Sequence, residues 1–217
     1  MVTDDDPQNF RDTLVAIGAD ERFVEWCGER DLASVWAECD RGDWMLWLAA
    51  RFRVDRRVLV LTVCDCVREV TPVGFLSGRG REAIETVETI EAWCRGEVHI
   101  RAVWAAGSSA LNRACSNYDS DVSSLEDSEA DMAASRACRT CGHRGEGSRK
   151  YAAKFAAAVE QAAEVPSVDG GEMSRCGFLK KSASMIRARV PYRILFDGLA
   201  ARRRRKVLRP RTRRATN

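Results

Sequence analysis

The sequence predicts an all-α fold, in the form of one multi-helix bundle or helical array of about nine helices. Hydrophobic residues make up 45% of the 217 residues, which is enough for a core in a chain of this length. Alanine, arginine, leucine and glutamate are abundant and favour helix, while only 5 prolines interrupt the chain. Apolar residues recur three and four positions apart, which places them on one face of a helix.

No segment shows a clear alternation of apolar and polar residues, the pattern typical of a half-buried strand. The best candidate for a strand is the valine-rich stretch 57–63, because β-branched residues favour strands. The apolar residues on either side of it keep helical spacing. We therefore expect this stretch to belong to a long helix that runs from Val54 to about Val70.

Capping residues predict where the helices of the first 70 residues begin. An aspartate at a helix start accepts hydrogen bonds from free backbone N–H groups, and proline fits the first turn. The expected caps are at Asp6-Pro7, Asp31 and Asp43, and two further helices are expected to begin near Asp20 and at Val54-Asp55-Arg56-Arg57. Gly42 is expected to end the helix that precedes Asp43. The next helix, 44–50, is apolar nearly all round and is expected to be buried.

Amphipathic stretches predict the remaining helices, at about 81–95, 98–115, 128–164, 174–190 and 191–200. Three glycines within 141–147 are expected to break or kink the alanine-rich stretch 128–164. Polar or glycine-containing segments predict loops at 73–79, 116–127 and 165–171.

Charge divides the chain into an acidic body and a basic end. Residues 1–50 hold 4 basic and 12 acidic side chains, residues 51–174 hold 16 and 19, and residues 175–217 hold 15 and 1. The net charges are therefore −8, −3 and +14. From Ala201 onward, nine of 17 residues are basic and almost none is apolar. The sequence thus predicts one all-helical domain, 1–200, and a disordered basic tail, 201–217.

The cytoplasm is the expected location. The N-terminus is acidic where a signal peptide would be basic, and no stretch approaches the roughly 18 apolar residues of a transmembrane helix. We therefore expect no membrane association. Nine cysteines lie mostly within apolar helical patterns, where reduced thiols pack as small hydrophobic groups. The alternative, a disulfide framework, is disfavoured by their odd number.

Few residues suggest catalysis. The chain has 2 histidines, which makes a Ser-His-Asp triad improbable, and it lacks phosphate-loop, dinucleotide-binding and nucleophile-elbow motifs. His99 is expected to cap a helix or lie on the surface. Cys138, Cys141 and His143 suggest zinc, but a structural site needs a fourth ligand and no second paired motif follows. We predict no catalytic residues, no metal and no cofactor.

One block of the sequence resembles the signature of a known family. The stretch Trp36–Leu48 has a tryptophan helix, a cysteine, and an arginine-glycine turn into Asp43-Trp44-Met45-Leu46-Trp47. It is similar to an immunity protein family of bacterial polymorphic toxin systems that also occurs in bacteriophage genomes. The segments after Asp55, at 82–88, 150–164 and 186–191 resemble further elements of that family. The stretch 138–147 and the arginine tail depart from it.

The resemblance implies a non-enzymatic binding protein that acts by stoichiometric protein–protein interaction, blocking a toxin or a defence effector. The binding residues that it suggests are Asp43, Trp44, Trp47, Asp55, Arg56 and Arg57. Trp44 and Trp47 are three positions apart and share a helix face. Burial is the favoured interpretation for both, and an exposed binding hot spot is the alternative. Asp43 is expected to cap its helix and to pair with Arg56 or Arg57.

The basic tail suggests an alternative function, nucleic-acid binding by a phage or host protein. Arginine and lysine neutralise phosphates, and such contacts weaken steeply with salt. The tail lacks interleaved aromatic residues, so base stacking is not indicated. A solubilising tail, or one that folds onto the acidic first 50 residues of a neighbouring molecule, is equally compatible with the pattern. The tail residues expected to bind are Arg202, Arg203, Arg204, Arg205, Lys206 and Arg209.

Overall fold

The computed structural model describes residues 7–71, 79–117, 125–142, 148–164 and 175–207, and these form eleven helices and no strand. The all-α prediction is therefore confirmed, and the valine-rich stretch 57–63 lies within a helix. The helices are α1 Pro7–Ile17, α2 Glu21–Cys27, α3 Leu32–Glu38, α4 Gly42–Arg51, α5 Arg56–Val70, α6 Arg79–Arg95, α7 Ile100–Asn117, α8 Leu125–Cys141, α9 Arg149–Ala162, α10 Arg175–Arg189 and α11 Tyr192–Val207.

The predicted helix starts agree with the structure where capping is a local matter. Asp20, Asp31 and Asp55 each accept a backbone hydrogen bond at the start of α2, α3 and α5. The alanine-rich stretch ends its first helix at Cys141 and resumes at Arg149, as the glycines predicted. The loops predicted at 73–79, 116–127 and 165–171 lie mainly outside the described residues.

Gly42 corrects one prediction, because it begins α4 instead of ending the preceding helix. The reason is a close approach by α10. A Cβ at this position would lie 3.0 Å from the backbone nitrogen of Ala183 and closer still to the Ser182 side chain. The glycine at this position allows α10 to pack against α4, and it does not serve to end α3.

The core is built around α4, α5, α8 and α9. Helix α8 packs against α5, α6, α7 and α9, while α4 packs against α9 and α10. Alanine allows this crowding, since small side chains let helix axes approach. The buried alanines and cysteines of α8 are Ala130, Ala133, Ala134, Ala137, Cys138 and Cys141, which recur three and four positions apart. The alanine-rich composition thus explains why α8 is central.

The short N-terminal helices are held to the body by arginines. Helices α2 and α3 have seven residues each, too few to be stable alone. Arg51 on α4 donates from Nη2 to the Ile17 carbonyl at 2.6 Å, at the end of α1. Arg187 on α10 donates from Nη1 to the carbonyls of Trp36 and Cys39 at 3.2 and 2.9 Å, at the end of α3. Cations at helix C-termini also interact favourably with the helix dipole.

A buried ion pair joins α7 to α8. The Asp131 side chain is fully buried, and Arg113 donates to it from Nη2 at 2.6 Å and from Nε at 3.0 Å. The same guanidinium lies 2.8 Å from Glu82 on α6. Three helices are therefore linked by one arginine.

The basic end differs in part from the prediction. Helix α11 continues to Val207, so the first seven residues of the predicted disordered tail, 201–207, are helical. Arginine and lysine are good helix formers, and positive charge is favourable at a helix C-terminus. Residues 208–217 lie outside the described part of the chain. No helix within that described part is both long enough and apolar enough to span a membrane.

Candidate functional site

Trp44 lies in an aromatic cluster on the surface of α2 and α4. Its ring stacks on Phe23, with centroids 5.0 Å apart, and approaches Trp26 at 6.2 Å. The Arg41 guanidinium covers it at 4.6 Å from the ring centroid, and Arg30 covers Trp26 at 4.8 Å. Trp44 is half-buried. Phe23, Trp26 and Arg41 cover part of its ring, as expected for a side chain that packs within the protein.

Asp43 does not cap α4, which corrects the sequence prediction. The N-cap position is Arg41, and Asp43 lies in the first turn with 1% of its surface exposed. Arg41 donates to both of its oxygens, from Nε at 2.8 Å and Nη2 at 2.6 Å. The partner is thus Arg41, two residues away, and neither Arg56 nor Arg57. Burial and the neighbouring Asp43 carboxylate raise the pKa of Glu160 on α9.

The other predicted residues lie apart from this cluster. Trp47 is half-buried, with the Arg51 guanidinium 5.7 Å from its ring centroid. Asp55 is exposed and caps α5 by accepting from the Arg57 N–H at 2.8 Å. Arg56 lies over the ring of Trp93 on α6 at 5.3 Å. The structure therefore divides the predicted binding residues between the α2–α4 surface and the start of α5.

The predicted tail residues are placed only in part. Arg202, Arg203, Arg204, Arg205 and Lys206 belong to the final turns of α11, and Arg209 lies outside the described residues. The nucleic-acid role of the tail stays a prediction.

The cysteines are buried thiols for the most part. All nine are free, and only Cys115 and Cys176 are exposed. Burial raises the pKa of the Cys138 thiol to about 12 and that of Cys141 further, which makes both poor nucleophiles at neutral pH. Within the described ranges, no group of three or more potential ligands is arranged to hold a metal ion. His143 lies outside those ranges.

His99 takes the capping role predicted for it. Its Nδ1 accepts a hydrogen bond from the Arg101 N–H at 3.2 Å, at the start of α7. It lies on the exposed surface and is not paired with a nucleophile.

A groove that the sequence did not predict opens between α7, α8 and α9. It has a volume of about 280 Å³. Its lining residues are Trp104, Gly107, Ser108, Leu111, Ser135, Cys138, Arg139, Gly142 and Lys154. At its base, α7 and α8 come so close that a Cβ on Gly107 would lie 2.6 Å from the Cβ of Cys138. We call this feature the Trp104 groove.

Trp104 is the conspicuous side chain of this groove. It is 51% exposed, although tryptophan is highly buried on average. One edge of its indole rests against Gly142 at the end of α8, where a Cβ would lie within 3.0 Å of the ring carbon Cε2. Gly142 therefore provides the space that holds the ring in place. A fixed but exposed aromatic surface results.

The charge of the groove is positive. Arg139 is exposed and Lys154 is half-buried, and none of the described lining residues is acidic. Burial, and then the nearby Arg139 charge, lowers the pKa of Lys154. Neither cation has an ion-pair partner among the described residues. Among the described residues, two like charges are thus held near an exposed indole with no ion-pair partner.

Sequence reasoning missed this groove because its residues are scattered. Trp104 falls on the apolar pattern of α7, so its spacing alone predicts a position in the core. Arg139 and Lys154 lie in alanine-rich stretches where a basic residue usually marks the solvated face. The one available signal was Gly107 with Gly142, since a glycine inside or ending a helix marks a close approach.

Comparison with known proteins adds no relative. No protein-family model matches the chain, and searches of the curated proteins and of the solved structures find no match either. The likeness to immunity proteins stays an expectation from the sequence.

Proposed function

We propose that the protein is a non-enzymatic binding protein that forms a stoichiometric complex with a protein partner, a toxin or a defence effector, and docks it at the Trp104 groove. The observation that carries the proposal is the half-exposed indole of Trp104 beside Arg139. Tryptophan and arginine are the side chains most enriched among residues that dominate protein–protein binding energy.

The gain from covering Trp104 is substantial. A tryptophan buries up to roughly 250 Å², so its exposed half represents about 125 Å². At about 25 cal/mol per Å² of apolar surface, a partner that covers it gains about 2–3 kcal/mol. That is the magnitude of a binding hot spot, and no rearrangement of the helix is needed to present it.

The experiment is a capture of partners from the native host with three baits. They are the tagged wild-type chain, Trp104→Ala, and the control Val15→Ala, which alters a side chain that is 61% exposed on α1. We expect a partner that forms an equimolar complex with the wild type and the control, and whose affinity for Trp104→Ala falls by about tenfold or more. A native host that yields no stable protein partner would contradict the proposal.

A second candidate function, nucleic-acid binding, rests on the continuity of α11 into the basic segment. Residues 202–206 extend the helix whose earlier turns bury Leu195 and Leu199, so the basic segment begins in continuous helix with a part of α11 that packs in the core. The test is a binding curve for duplex DNA and RNA at rising salt. Deletion of residues 201–217 without loss of affinity would eliminate this candidate.

A further inference from the structure

The Trp104 groove lies at the small end of the sizes of ligand sites. Its volume of about 280 Å³ lies just below the roughly 300–1,000 Å³ of sites that enclose drug-sized molecules or cofactors. A groove of this size accommodates one or two side chains of a partner. The indole face of Trp104 and the side chain of Leu111 offer apolar contact to such side chains.

The electrostatics select the charge of the occupant. Arg139 and Lys154 face the groove without acidic partners among the described residues, and each repels the other. An anionic group placed near both would remove this repulsion and accept charge-assisted hydrogen bonds. The hydroxyl of Ser108, which is exposed on α7, offers a further donor.

The surrounding chain disfavours a polyanion. Residues 1–174 carry a net charge of −11, from 20 basic and 31 acidic side chains. A nucleic-acid strand extends beyond a groove of this size and would be repelled by this net negative charge. One or two carboxylates confined to the groove would not.

We propose that the Trp104 groove receives an acidic segment of the partner protein, with an aromatic or aliphatic side chain against Trp104 and a neighbouring carboxylate near Arg139 and Lys154. This inference rests on the proposed function and names the chemistry of the partner. Trp104 would provide the apolar contact, and Arg139 and Lys154 would make an acidic segment bind more tightly than a neutral one.

The test uses the full-length protein and defined peptides in place of the unidentified partner. The indole N–H resonance of Trp104, assigned with Trp104→Phe, is followed while acetyl-Asp-Phe-Asp-amide is added. The matched neutral peptide is acetyl-Asn-Phe-Asn-amide, and an eight-residue oligothymidylate represents nucleic acid. We expect the acidic peptide to bind about fivefold or more tightly than the neutral one, with the difference shrinking at high salt.

Two variants test whether the cations of the groove cause that preference. Lys154→Gln combined with Arg139→Gln should make the acidic and neutral peptides bind equally. Lys150→Gln is the matched control, since Lys150 is exposed one turn earlier on α9 and does not line the groove. It should retain the preference.

Three results would overturn the inference: equal binding of the two peptides by the wild type, no response to either peptide at millimolar concentration, or tighter binding of the oligothymidylate. Failure here is distinguishable from failure of the proposed function. Suppose that a partner is captured through Trp104 but its affinity does not depend on Arg139 or Lys154. That result would support the proposed function and refute only the inference that the bound segment is acidic.

Discussion

Replacing Gly107 with alanine tests the closest helix contact at the base of the Trp104 groove. The new Cβ would lie 2.6 Å from the Cβ of Cys138 and 3.0 Å from its sulfur. Favourable carbon–carbon contacts begin at about 3.5 Å, so α7 and α8 must separate by roughly 1 Å. The neighbour cannot give way by rotating its side chain, because a Cβ is fixed to the helix backbone.

The expected change is the sum of two opposing effects. Overpacking of this kind costs about 1–3 kcal/mol, and the better helix propensity of alanine returns about 1 kcal/mol. Gly107→Ala should therefore lower the free energy of unfolding by about 1 kcal/mol. In a Cys138→Gly background the obstructing Cβ is gone, so the same substitution should stabilise by about 1 kcal/mol. The sign of the effect reverses, and the coupling between the positions is about 2 kcal/mol.

The assay is urea unfolding of the full chain, followed by far-ultraviolet circular dichroism, for the wild type, both single variants and the double variant. Ser109→Ala is the propensity control, since Ser109 is exposed on the same helix. It should stabilise by no more than about 0.5 kcal/mol. The close packing of α7 on α8 is refuted if Gly107→Ala stabilises the wild type, or if the two substitutions are additive.

Three further predictions follow from other contacts. Arg113→Met removes the arginine from a fully buried carboxylate, so it should lower the free energy of unfolding, measured in urea, by about 3 kcal/mol. The control Arg81→Met breaks an exposed pair and should change that free energy by less than about 1 kcal/mol. Equal effects of the two substitutions would contradict the buried pair. Because the folded state raises the pKa of Glu160 above 4.5, its ionisation removes stability as pH rises through that pKa. Glu160→Gln should therefore stabilise the protein at pH 7, by less than about 1 kcal/mol because the group is partly exposed. The gain in stability should disappear below about pH 4, where Glu160 is protonated. A gain that persists in acid would show that the raised pKa of Glu160 is not its cause. Of the nine thiols, Cys115 and Cys176 should react quickly with a thiol reagent in the native protein, and the other seven should react only in denaturant. Fast labelling of more than two thiols would show that the core is open.

The helices could be predicted from the sequence because their signals are local. The spacing of apolar residues and the side-chain oxygens of Asp20, Asp31 and Asp55 act within one turn of the chain. The same is true of the glycines that separate α8 from α9. Gly42, Asp43 and residues 201–207 were misplaced: α10 packs on Gly42, Arg41 binds the Asp43 carboxylate, and α11 continues to Val207.

The groove depended on tertiary structure. Trp104, Arg139 and Lys154 are on three helices, and the spacing along each gives no sign that they meet. The opposite holds for Trp44. It belongs to the aromatic block that resembles a binding signature, yet Phe23 and Arg41 pack against its ring. The local sequence therefore determined which segments are helical and where most of them begin. Helix packing decided that Trp104 stays exposed and that Arg139 and Lys154 lie beside it, because exposure and the distance between charges depend on residues far apart in the chain.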